Sequence, residues 1–136
     1  MYIVRKEVKI ALIALPIIFF SNLIIGVILG VGLEHDFFNT VHHFAGGFFV
    51  ALFMYGYLHE IVDSPKIPWF KKWLVIIGAT LTVGVLWEVV EWIGSYYNSQ
   101  YMSIGSLDDT ILDLGSDTLG AIILLLLHLV GRRNSQ

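Results

Sequence analysis

Apolar runs long enough to cross a bilayer fill most of this chain, and five carboxylates sit inside them or at their rims: Glu88, Glu91, Asp109, Asp113 and Asp117. No lysine or arginine stands at their depth. The runs restrict the fold to helices, because a backbone in hydrocarbon must satisfy its own polar groups. The carboxylates restrict it further. An ionisable group at the centre of a membrane helix costs roughly 2.5–3.5 kcal/mol on insertion scales, so such groups are paired, protonated or used.

Composition agrees with the pattern. The 136 residues are 57% hydrophobic and 14% charged, with a mean hydropathy of +0.77, outside the range of soluble domains. Cysteine is absent, which removes disulfides, thiolate nucleophiles and sulfur-rich metal sites. The sequence predicts an all-α integral membrane protein, a single domain over residues 1–136 with four transmembrane helices in an up-and-down bundle. The expected spans are about Ile10 to Leu33, Phe37 to Leu58, Trp73 to Tyr97 and Ile111 to Val130. The first follows Arg5, Lys6 and Lys9 as a secretory signal would, but it is too long for a signal core and reads as a retained helix. Pro16 lies near its start, and Pro65 and Pro68 mark the connection between the second and third spans.

Lysine and arginine occur at the N-terminus, between Glu60 and Lys72, and at Arg132 and Arg133. The positive-inside rule then predicts a multi-pass cell-membrane protein with both termini cytoplasmic. The connections around Glu34 to Asp36 and Asn98 to Asp108 face the other side. Tyr96, Tyr97 and Tyr101 near one boundary and Trp69 and Trp73 near the other suit interfacial belts.

At 1.5 Å per residue, three helices bring polar groups to one level. His42 and His43, Glu88 and Glu91, and Asp113 and Asp117 all stand about 23–28 Å above the cytoplasmic helix ends, with Asp109 about 6 Å higher at the mouth. Asp109, Asp113 and Asp117 recur every four residues and line one helix face, with Gly120 on nearly the same stripe. Glu88 and Glu91 are i, i+3 neighbours. The adjacent histidines diverge by about 100°, so one of them faces the cluster, with His43 favoured. Gly26 with Gly30, and Ser116 with Gly120, form small-xxx-small pairs; for these, and for Gly46 and Gly47, close helix packing is the default reading.

Four things could neutralise the cluster: a cation from a partner, protonation, an imidazolium, or a divalent metal. Glu, Asp and His converging from facing helices is the arrangement of carboxylate-bridged metal bundles, with Glu-x-x-Glu here replacing their Glu-x-x-His. An oxygen-rich set with one imidazole suits Zn, Mn, Fe or Mg. His35, His59, His128 and Asn22 read as loop, capping or packing residues, and Trp87 and Trp92 as packing around the glutamates. Phosphate loops, a Ser–His–Asp order and basic stripes are absent from the sequence, so nucleotide hydrolysis, serine hydrolase chemistry and nucleic-acid binding find no support.

The segments His42-His43-Phe-Ala-Gly-Gly, Trp87-Glu88-Val-Val-Glu91-Trp92 and Asp109-x-x-x-Asp113-x-x-x-Asp117-x-x-Gly120 together resemble the YjdF-like family of small membrane proteins, and more distantly the VanZ-like family. The likeness covers about Phe37 to Leu127. It implies a histidine helix, a Glu-x-x-Glu helix and an Asp-rich last helix, carrying site roles to His42 or His43, Glu88, Glu91, Asp113 and Asp117. The VanZ-like pattern has an Asp-Lys pair before its histidine and an Asn at the place of Asp117, both missing here.

The leading expectation is a divalent-metal site opening toward the extracytoplasmic leaflet, with His42 or His43, Glu88, Asp113 and Asp117 as ligands. Glu91 is a general base or further ligand, and Asp109 meets the substrate or a second metal. A lipid or lipid-linked headgroup is the expected substrate and hydrolysis the expected reaction. The alternatives are a cation- or proton-binding transporter working as a homo-oligomer, with Thr80, Thr82 and His128 as hints of a path, and a structural subunit of a membrane complex.

Overall fold

The computed structural model describes residues 5–21, 24–25, 36–97 and 106–133, and every described element is helical. In order these are α1 (Lys6–Ser21), α2 (Asp36–Tyr57), the single turn α3 (His59–Val62), α4 (Trp69–Tyr97) and α5 (Leu107–Arg133). Three stretches are long and apolar enough to cross a membrane: Phe37–Tyr57, Trp69–Tyr97 and Leu107–Gly131. The described part of α1 has 16 residues, about 24 Å of helix against a hydrocarbon core of about 30 Å. The rest of the expected first span, with Asn22, Gly26 and Gly30, lies outside the described residues. So do His35, Glu34 and Tyr101.

Two helices start one turn earlier than hydropathy predicts, and local chemistry explains both. The hydroxyl of Ser106 accepts a hydrogen bond from the Asp109 amide (3.2 Å) and its carbonyl accepts one from Thr110 (3.1 Å), so Ser106 is an N-cap. Asp108 and Asp109 occupy the first turn, where carboxylates favour the positive end of the helix dipole. That turn is polar because it is a cap, which hides it from an apolar-run search. Likewise the Pro68 carbonyl accepts from Lys71 (3.1 Å) and Lys72 (3.3 Å), starting α4 at Trp69. With 29 residues, α4 is about 43 Å long, so its exposed Trp69 and its exposed Tyr96 and Tyr97 reach past the hydrocarbon at either end.

Helix α2 is the hub. It packs most extensively on α5 and also against α1 and α4, while α4 leans on α5. Contacts at both ends give the directions. Val8 meets Gly56 and Ser21 meets His42, so α1 and α2 are antiparallel. Asn39 meets Asp113 and Tyr55 meets His128, so α2 and α5 run parallel. Glu88 meets Thr110 and Gly84 meets Asp117, so α4 and α5 are antiparallel. Below the polar level the interior is apolar: Ala51, Leu52, Tyr55, Ile76, Ala121, Leu124 and Leu125 are buried together. The opposite faces carry exposed leucines, among them Leu74, Leu86, Leu112 and Leu119, as expected of helices whose outer surface meets lipid.

Small residues set the spacing at the hub. A Cβ on Gly120 would fall inside contact distance of the backbones of Phe44 and Phe48, and one on Gly47 inside that of the Asp117 backbone. The two helices thus touch backbone to backbone, as the sequence predicts for Gly47 and Gly120. Ser116 behaves differently: it is half-buried and its hydroxyl donates to Leu112 O (2.8 Å) in its own helix.

Replacing Gly120 with leucine is expected to prise α2 from α5 and destabilise the fold by about 1–3 kcal/mol or more, the range for overpacking. Gly115→Ala, whose Cβ meets nothing within 4 Å, is expected to be neutral or slightly stabilising. Unfolding of the two variants in detergent beside the unaltered protein checks the contrast.

Candidate metal centre

The α2–α5 contact places His43 between two aspartates. Its ring is buried, with Nε2 3.5 Å from Asp113 Oδ2 and Nδ1 3.5 Å from Asp117 Oδ2. Both separations exceed the ~2.9–3.0 Å of a well-formed N–H···O bond. His43, Asp113 and Asp117 are respectively 6%, 2% and 6% exposed, so three titratable side chains are enclosed where α2, α4 and α5 meet. Glu88 completes the group from α4. One donor atom each from His43, Glu88 and Asp113 lies within 4.8 Å of the other two.

Each member of that trio is braced from behind. Asn39 Nδ2 donates to Asp113 Oδ2 at 2.7 Å, and Thr110 Oγ1 donates to Glu88 Oε2 at 3.0 Å. Asp117 Oδ2 faces the far ring nitrogen of His43. Two buried oxygens have no hydrogen-bond partner among the described residues, Glu88 Oε1 and Asp117 Oδ2. Room for Asp117 comes from α4, since a Cβ on Gly84 would collide with its Oδ2.

Other expected site residues stand outside the trio. His42 turns toward α1: its Nδ1 donates to Phe38 O (3.0 Å), its Nε2 lies 3.0 Å from Ser21 Oγ, and its ring packs on Phe38. Both nitrogens are thus engaged, which separates its role from that of His43. Glu91 is half-buried and its Oε1 accepts from Trp87 Nε1 at 2.9 Å within the same helix. Asp109 lies half-buried in the first turn of α5, one turn beyond Asp113 on the same stripe.

Sequence reading misses the bracing residues, although their spacing is visible in retrospect. Asn39 precedes His43 by four positions, Thr110 precedes Asp113 by three and Gly84 precedes Glu88 by four, so each shares a face with a site residue of its own helix and serves a carboxylate on the facing one. No basic side chain among the described residues reaches this level. Arg5 pairs with Asp63 (3.1 Å) and Lys72 donates to Val62 O (2.6 Å), both at the opposite end of the molecule.

Asn39→Ala strips the buried Asp113 carboxylate of its donor. The expected cost is about 1–3 kcal/mol of stability, the penalty for an unsatisfied buried group. The Asn39→Ala variant should therefore unfold earlier than a change at an exposed hydrogen bond such as Ser95→Ala, read by circular dichroism during denaturing-detergent titration.

Comparison with known proteins adds relationships to this geometry. A Thermotoga maritima protein described as uncharacterized is 30% identical over 108 residues, which are 74% of this chain and 52% of the relative. The chain thus spans about half the length of that relative. No solved structure matches it. The family described as predicted membrane protein (DUF2238) matches residues 7–134, nearly the whole chain. With its apolar helices and their buried His/Asp/Glu group, the chain belongs to that family.

Proposed function

We propose that this is a YjdF-like, multi-pass cell-membrane protein that holds a divalent cation at His43, Glu88 and Asp113 and uses it on a lipid or lipid-linked headgroup. The carrying observation is Glu88 Oε1, a buried oxygen with no hydrogen-bond partner among the described residues, in a group whose donor atoms converge within 4.8 Å. The 3.5 Å between His43 Nε2 and Asp113 Oδ2 is long for a hydrogen bond, yet it is close to the ~3.4 Å that separates two tetrahedral ligands with bonds of ~2.0–2.1 Å. One nitrogen and two carboxylates suit Zn, Mn, Fe or Mg.

The bracing pattern supports the same reading. A metal-ligating histidine characteristically donates its other ring N–H to a carboxylate, and ligating carboxylates are themselves hydrogen-bonded. Asn39 on Asp113 and Thr110 on Glu88 make such bonds, and Asp117 Oδ2 lies 3.5 Å from Nδ1 of His43, on the side such a carboxylate would occupy. Under this proposal Asp117 is a positioning residue instead of a ligand, and His43 is the ligating histidine. A bound cation would polarise a headgroup oxygen and activate a water for hydrolysis. Glu91, held by Trp87, would be the carboxylate to take a proton from that water, and Asp109 would meet the headgroup from the mouth. With no lysine or arginine at this level among the described residues, a headgroup's negative charge would have to be met by a bound cation.

The distribution of basic residues supports a cytoplasmic location for both termini and α3, with α1 as a fourth span and the site toward the outer leaflet. A transport path receives less support. Thr80 donates to Ile76 O (3.0 Å), Thr82 is exposed and donates to Gly78 O (2.8 Å), and His128 packs on Tyr55. Between the site and the basic end lies the apolar layer of Leu52, Tyr55, Ile76 and Leu124.

Elemental analysis of protein purified in detergent without chelator tests the proposal. Near-stoichiometric metal is expected in the unaltered protein and none in His43→Ala, Glu88→Ala or Asp113→Ala. Asp117→Asn should retain the site at about 10–100-fold weaker affinity, as for other loss of a ligand's bracing partner. Metal-free protein that also fails to take up added Zn, Mn, Fe or Mg would sink the proposal.

A further inference from the structure

A cavity of about 270 Å³ lies between α1, α2 and α4, against the buried face of the site. Its walls are Leu15, Ile18 and Phe19 from α1, Val50 from α2, and Val83 and Trp87 from α4. Polar groups gather at one end, where His42, His43 and Asp117 line it. Thr80 also borders it, but its hydroxyl is already bonded to its own helix. Gly46, Gly47 and Gly84 also border the space, on the side of Asp117.

The dimensions are those of a slot. Val50 to His43 on α2 and Thr80 to Trp87 on α4 are each seven helical rises apart, about 10 Å along the helices. A cavity of about 270 Å³ extending about 10 Å along the helices has room for a segment of hydrocarbon chain. The slot also reaches the outer surface. Phe19 and Val83 line it and are nevertheless 46% and 37% exposed. At that seam the Phe19 and Trp87 rings meet edge to face with centroids 5.7 Å apart. In a protein whose outer faces meet lipid, an apolar slot with a side opening is in contact with acyl chains. Interiors leave few voids of this size unfilled, and dry apolar cavities take apolar ligands.

We propose that this slot binds one acyl chain of a membrane phospholipid, entering from the bilayer between α1 and α4 past Phe19 and Trp87, with its polar end held toward His43. Placing the headgroup there rests on the cation site proposed above, whereas the slot stands on its own lining.

Photo-crosslinking reads this directly. The full chain is reconstituted in phosphatidylethanolamine–phosphatidylglycerol vesicles containing phosphatidylglycerol with a diazirine in one acyl chain, illuminated, and mapped by mass spectrometry. Labels are expected on the slot segments 46–50 and 80–84 as well as on outward-facing leucines. Val50→Phe and Val83→Phe fill the slot from different helices, and Val83 is already partly exposed, so at least that variant should keep its fold. In each, slot labelling should fall about tenfold while labelling of Leu74 and Leu126 stays constant, the scale expected for overfilling an enclosed space. Labels confined to outward-facing residues, or slot labels indifferent to both fillings, would overturn the proposal. Metal content measured on the same samples separates the two ideas: slot labelling without metal removes the cation site and leaves the acyl slot, and metal without slot labelling does the reverse.

Discussion

The arrangement depends on two helix backbones lying in direct contact. At Gly47 and Gly120 there is no room for a side chain between α2 and α5. This approach sets His43 between Asp113 and Asp117 and keeps the group from water and lipid alike. In a bilayer, tight packing cannot rely on hydrophobic exclusion, because lipid tails are as apolar as leucine. Van der Waals contact and interhelical hydrogen bonds must supply the specificity. The Asn39–Asp113 and Thr110–Glu88 bonds each join two different helices and fall on the same side of that contact.

The molecule therefore separates its chemistry by height. At one end Arg5 is neutralised by Asp63 and Lys72 is tied to a carbonyl. The middle is a buried apolar layer from α1, α2, α4 and α5. The acidic group occupies the next level, with the cap of Ser106 and the first-turn aspartates of α5 above it. Opposite charges placed at opposite ends cannot pair with one another. A sequence with this separation has to satisfy each end locally, which is why the acidic end recruits amide, hydroxyl and imidazole donors.

Much of this was legible in the chain. Apolar run length locates α2, α4 and α5, and the four-residue spacing of Asp113 and Asp117 predicts their common face. Depth counting brings His43, Glu88 and Asp113 to one level before any contact is known. Other features escape such counting. The early starts of α4 and α5 are written in Pro68 and Ser106, polar or cyclic residues that an apolar window discards. The choice between His42 and His43 turns on whether a ring finds Ser21 or the aspartates, which depends on where α1 docks. The bracing roles of Asn39 and Thr110 are tertiary facts, since each donor lies on a different helix from the carboxylate it serves. Hydropathy treats these two residues as small defects in apolar helices.

Gly84 shows what an absent side chain can contribute. It donates nothing and binds nothing, yet the space beside its Cα is occupied by the carboxylate of Asp117. Any larger residue there would push that carboxylate and, through it, the imidazole of His43. In a map of mutational tolerance, Gly84 would score with the acidic residues although no chemical assay of its own could detect it. The boundary of the centre is thus drawn as much by excluded volume as by reactive atoms, and a redesign that transplants only the polar residues to another helical scaffold would leave out the notch in which they sit.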